Sequence, residues 1–163
     1  MRQVAEIRRL FAGAVVTMLL ACAAVALTPA TPAHAAGSAY YVDCSAASNG
    51  TGTSSSPWNS LAGPNATTFA PGDQLLFKRG TTCAGLLHPL GSGSAAGGSI
   101  TMSAYGTGAL PVIAGGGGTD AIYLYNQEYW EISDLEVTNT GAVTGANDRR
   151  WIGEGPNVSG WRG

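Results

Sequence analysis

Lys78 and Arg79 are the basic side chains between residues 36 and 148. A cation of either kind could neutralise a carboxylate on a substrate. Neighbours on a strand point to opposite faces, so one of the two at most can line a groove. Both sit beside Gly80, where a solvated strand end is the plain alternative. His88 could titrate near neutral pH, but it precedes Pro89 and has no acidic neighbour in sequence. Asp120, Glu128, Glu131, Asp134 and Glu136 crowd one stretch and offer oxygen ligands for calcium, or ordinary surface solvation. Trp58, Tyr123, Tyr125 and Tyr129 could stack on sugar rings, or equally fill and cap the core.

Other patterns carry less. Gly91-x-Gly93-x-x-Ala96 resembles a dinucleotide fingerprint, yet it precedes a strand rather than opening a helix, so its context fails. Metalloprotease, P-loop and nucleophile-elbow patterns are absent from the sequence. Asn49, Asn65 and Asn157 lie in glycosylation sequons, which matter only in a host that glycosylates exported proteins.

The N-terminus reads as an export signal over residues 1–35. Arg2, Arg8 and Arg9 form a basic region, residues 10–21 an apolar core, and Ala33-His34-Ala35 a small-x-small cleavage site, with cleavage expected after Ala35. Arg8-Arg9 leaves twin-arginine export open, and Leu19-Leu20-Ala21-Cys22 partly resembles a lipoprotein box. A soluble secreted product is the expectation. Of 163 residues, 128 then remain, with five basic and nine acidic side chains. That mild acidity excludes the electrostatic footprint of a nucleic-acid or anionic-membrane binder, and oligomeric state is not legible. Cys44 and Cys83 remain as an even pair, which in an exported chain predicts a disulfide; two free thiols or half a metal site are the alternatives.

The elements that must position these residues are strands. Alternation and turn signals predict strands at 40–43, 74–79, 86–90, 100–105, 111–113, 121–125 and within 129–138, with loops over 45–57 and 91–98. No segment has a helical period. Leu76, Ile100 and Ile122 recur at separations of 24 and 22; Leu86, Val112 and Leu135 recur at 26 and 23. Two strands per repeat at this period predict about three stacked coils.

Tyr40-Tyr41-Val42-Asp43, Gly52-Thr53-Ser54, Pro57-Trp58 and Leu61 resemble the opening segment of secreted bacterial right-handed parallel β-helix proteins of the pectin-lyase-like superfamily. Residues 71–80, Ile100-Thr101, Ala104-Tyr105-Gly106, Pro111-Val112-Ile113, Tyr129-Trp130-Glu131-Ile132 and residues 135–139 are similar to their coils. The resemblance covers roughly residues 39–141 and implies an extracellular protein that binds or acts on polysaccharide. Acidic-glycan lyases or hydrolases, with calcium in some, are the activities it suggests. No position here matches a catalytic residue of such proteins.

The expected organisation is a signal over 1–35, an N-terminal cap over 36–70, coils over 71–141 and an atypical tail over 142–163, all-β throughout. In the tail the strand rhythm stops, which a shifted reading frame or truncation before the catalytic coils would explain. The expected function is a polysaccharide-active β-helix protein lacking its catalytic coils; the alternative is a non-catalytic carbohydrate-binding or cell-surface module.

Overall fold

The structure, a computed structural model, describes residues 37–140 and 150–154. The export signal of residues 1–35, and the tail reading over 142–149 and 155–163, lie outside these residues. Among the described residues, no helix is long and apolar enough to cross a membrane.

Strands dominate, and every pairing between them is parallel. One sheet takes β1 (Ala39–Val42), β3 (Gln74–Lys78), β6 (Ile100–Tyr105) and β9 (Trp130–Ile132) in that order. A second takes β4 (Thr82–Ala84), β7 (Val112–Ala114) and β10 (Glu136–Thr138). β8 (Asp120–Leu124) pairs with β11 (Arg150–Glu154), and Leu87 bridges Ile122 on the opposite side of β8. A small pair, β2 (Thr68–Phe69) with β5 (Leu90–Gly91), lies between the passes.

The register exposes the repeat. Tyr40, Leu75, Met102 and Ile132 stand side by side in the first sheet, and Cys83, Ile113 and Val137 in the second. Leu87, Ile122 and Ile152 form the third row. The passes that begin with β3, β6 and β9 therefore each contribute three positions, not the two read from the sequence. Ile122 belongs to the third row, whereas Leu76 and Ile100 lie in the first sheet, opposite Ser103 and Trp130 and not opposite each other. Loops of unequal length separate the strands, so a fixed sequence interval does not track the register.

Alternation decides which side chains go inward. In β3, Leu75 and Phe77 are fully buried while Gln74 is exposed. Met102, Ile113, Leu87, Ile122, Leu124 and Trp130 join them in one core. Full burial of such a side chain is worth roughly 1.5–3 kcal/mol relative to exposure.

β1 would otherwise present a bare edge. Its free side is met by the loop that follows, through Tyr41 N–H to Gly52 O at 2.8 Å, Trp58 N–H to Tyr41 O at 3.0 Å and Asp43 N–H to Trp58 O at 2.8 Å. A single helical turn, α1 (Ala62–Asn65), follows; four residues are too few to leave a period in the sequence. Trp58 stacks on Tyr40 at 5.5 Å, and Phe69 meets both Tyr40 and Trp130 edge-on, so an aromatic chain joins this segment to the core.

Three local expectations change. The strand expected over 86–90 is reduced to the Leu87 bridge and β5, because Pro89 between them has no N–H to give a ladder. β4 was not expected, being three residues with one apolar side chain inward. Residues 150–154, expected to lack strand character, form β11, with Ile152 beside Ile122 as a further place in the third row. The expected disulfide does form: Cys44 and Cys83 are bonded with Cα atoms 5.4 Å apart, tying the end of β1 to β4.

Candidate functional site

Two outward surfaces gather the residues singled out above. The first lies on the β1–β3–β6 sheet. Lys78 reaches back across the sheet and donates to Asp43 Oδ2 at 2.7 Å. Asp43 is buried, and its Oδ1 accepts from Ser45 N–H at 3.0 Å and from the Ser45 hydroxyl at 2.5 Å. Burial raises the Asp43 carboxyl, but the hydrogen bonds from Lys78 and Ser45 outweigh it and hold the pKa below its ordinary value. The same bond, with the carboxylate charge, pushes Lys78 up. Tyr105, in register with Lys78 and edge-on to Tyr41 at 5.1 Å, is raised by burial and by the Asp43 charge. A raised phenol stays protonated, so this cluster holds a structural ion pair rather than a base.

Arg79 takes a different partner. Its Nη2 donates to Asp134 Oδ1 at 3.1 Å, and the Ser103 hydroxyl donates to Asp134 Oδ2 at 3.4 Å. Both cations considered for binding a substrate carboxylate are thus already paired with carboxylates of the chain.

The acidic stretch does not converge. Asp134 is engaged with Arg79, Asp120 is buried in β8, and Glu131 and Glu136 are exposed on different strands. Glu128 uses its backbone, donating N–H to Ser92 Oγ and accepting from Gly93 N–H. Among the described residues no three His, Cys, Asp or Glu side chains group as a metal site.

The second surface is aromatic. Because Leu87 bridges Ile122, the next residue, His88, falls beside Tyr123. Their rings lie 5.2 Å apart, and Tyr123 and Tyr125 stack at 6.0 Å. His88 Nδ1 lies 2.8 Å from Tyr123 O. A carbonyl only accepts, so Nδ1 carries the proton and the neutral ring keeps its lone pair on Nε2. Asn65 clamps the strand below: its Nδ2 donates to Leu86 O at 2.9 Å and its Oδ1 accepts from His88 N–H at 2.7 Å. The Asn65 side chain is thereby committed to the fold.

Of the four aromatics that could stack on a sugar, Trp58 is enclosed by the fold. It is 9% exposed, with one ring face on Tyr40 and the backbones of Gly52 and Gly63 pressed against the indole. Tyr129 is half-buried in a strained turn at φ 56°. Tyr125 is 48% exposed and Tyr123 half-buried, and these two are brought together with His88. Sequence reading missed Asp43, Asn65 and Gln127 as positioning groups. His88 and Tyr123 stand 35 residues apart, and only the register brings them together.

No family model matches the chain, and no curated protein matches it. Among solved structures it is similar to the GH136 lacto-N-biosidase from Eubacterium ramulus, in a selenomethionine and a native crystal structure. Identity is 28% in both, over 72% and 69% of this chain, with TM-scores of 0.63 and 0.62. The chain spans about a quarter of the length of that protein, 23% in each comparison.

Proposed function

We propose that this chain is the N-terminal portion of a secreted, carbohydrate-active right-handed parallel β-helix protein. The observation that carries the reading is the likeness to a lacto-N-biosidase at 28% identity. The three rows of parallel strands support the β-helix, since parallel crossovers within a sheet are almost always right-handed. The Cys44–Cys83 disulfide supports export and an oxidising compartment. Removal of residues 1–35 follows from that reading, and N-terminal sequencing of the exported protein should start at Ala36.

Within such a protein, residues 37–154 contribute carbohydrate recognition rather than bond cleavage. Favouring binding over lyase chemistry, Lys78 and Arg79 are held by Asp43 and Asp134. Calorimetry of the purified chain with neutral and uronate oligosaccharides, followed by chromatography of the mixture, tests this. Heat of binding with no new products is expected. Released saccharide would overturn the binding-only role, and no binding to any glycan would overturn the carbohydrate reading itself.

A further inference from the structure

Among the described residues, the register sets a glycine beside one side of an aromatic ring. His88, Tyr123 and Gly153 are successive outward places in the third row, given by the Leu87–Ile122 bridge and the Tyr123–Gly153 pairing. His88 covers one side of the Tyr123 ring. On the other side the row presents a glycine, which has no side chain to cover it. Tyr125, the residue just past the end of β8, stacks against Tyr123 at 6.0 Å, extends the aromatic surface and is 48% exposed.

This surface is held rigidly. Directly after Tyr125 the chain turns through Asn126 and Tyr129, both at positive φ (54° and 56°). Such conformations persist in residues other than glycine where surrounding contacts over-determine them. Here Gln127, 4% exposed, donates its amide to the carbonyl of Pro89, the residue after His88. Trp130 Nε1 donates to Gly91 O at 3.0 Å, and Gly93 N–H to Glu128 O at 3.0 Å. The turn that carries Tyr125 is therefore bonded to the segment that carries His88, and Asn65 fixes that segment from beneath.

Resting on the carbohydrate reading above, we infer that His88, Tyr123 and Tyr125 form a subsite that stacks the apolar face of a neutral sugar ring. Rigid aromatic faces supply apolar area at little entropic cost, and the phenol hydroxyls and His88 Nε2 supply hydrogen-bonding groups at the rim. Charge selects the ligand class. Residues 37–140 carry seven Asp and Glu against Lys78 and Arg79, both of which are paired elsewhere. Among residues 37–140 a uronate or a nucleotide phosphate would meet no unpaired Lys or Arg, whereas an uncharged pyranoside needs none.

The test uses the whole chain, titrated with lacto-N-biose, cellotetraose and trigalacturonate, following aromatic ring signals by NMR and affinity by calorimetry. Shifts of the His88, Tyr123 and Tyr125 rings with a neutral sugar are expected. Tyr125→Ala should weaken that binding roughly tenfold, about 1.4 kcal/mol, and Tyr125→Phe should retain it within about threefold, since it keeps the aromatic face. Neutral-sugar binding that survives Tyr125→Ala, without ring shifts in the wild type, overturns this subsite while the carbohydrate reading stands. Binding of trigalacturonate in preference to the neutral sugars overturns the ligand class. Binding of none of the three overturns the subsite, and a wider glycan panel with the same result overturns the broader reading too.

Discussion

At the scale of single residues, position in the register separates side chains that look alike in sequence. Trp58 and Tyr125 were equal candidates for stacking on a sugar, yet one is enclosed by Tyr40 and glycine backbone and the other projects outward. Trp58→Ala should cost about 3–5 kcal/mol by emptying a packed site, read by denaturant unfolding, whereas Tyr125→Ala should leave the midpoint unchanged. Asp43 gives the second residue-scale prediction. Its folded pKa lies below the ordinary 3.8, so the stability it contributes is present above 3.8 and is lost as pH falls from there through the lower folded value. Lys78 and Tyr105 are raised from 10.5 and 10.0, so their contribution is present below those values and lost as pH climbs past them. The melting temperature should form a plateau between, and Asp43→Asn should flatten the acid limb below about pH 4. An acid limb as steep as the wild type's would remove Asp43 as its source.

At the scale of elements, what was legible depended on strand length and burial. β3 and β6, five and six residues with alternating inward side chains, stand out in the sequence. β2, β4 and β5, two or three residues each, do not, because so short a run has no period to read. The row assignments failed for a related reason: Leu76, Ile100 and Ile122 recur evenly, yet intervening loops place Ile122 in another sheet. Cys44 and Cys83 were legible as a pair because chemistry, not periodicity, links them. Their bond closes 39 residues and joins a four-residue strand to a three-residue one. In the chain-entropy account such a loop is worth about 4 kcal/mol. Reduction with dithiothreitol, or the Cys44→Ser, Cys83→Ser pair, should lower the unfolding free energy by roughly that amount. The first pass should loosen before the others, seen as earlier hydrogen exchange at Tyr41 and Asp43 than at Met102. Uniform loss of protection would show instead that the disulfide supports the core as a whole.

At the scale of the whole molecule, charge and stacking together set which ligands the protein can hold. Residues 37–140 are acidic, their two basic side chains are paired internally, and the exposed Tyr125 ring stacks with Tyr123 of β8. Contacts of this kind are insensitive to salt. Raising ionic strength from about 0.1 M to about 1 M shortens the screening length from about 10 Å to about 3 Å, which abolishes attraction between separated exposed charges and leaves ring stacking intact. Affinity for a neutral oligosaccharide should therefore change by less than about twofold across that range. Arg149, Arg150 and Arg162 lie near the end of the sequence and could offer an acidic glycan the cations that Lys78 and Arg79 do not. If they do, trigalacturonate binding will appear at low salt and vanish at high salt, and the Tyr125→Ala change will not affect it. The salt titration thus separates recognition by the aromatic face from recognition by the terminal arginines, using the same protein and the same calorimeter.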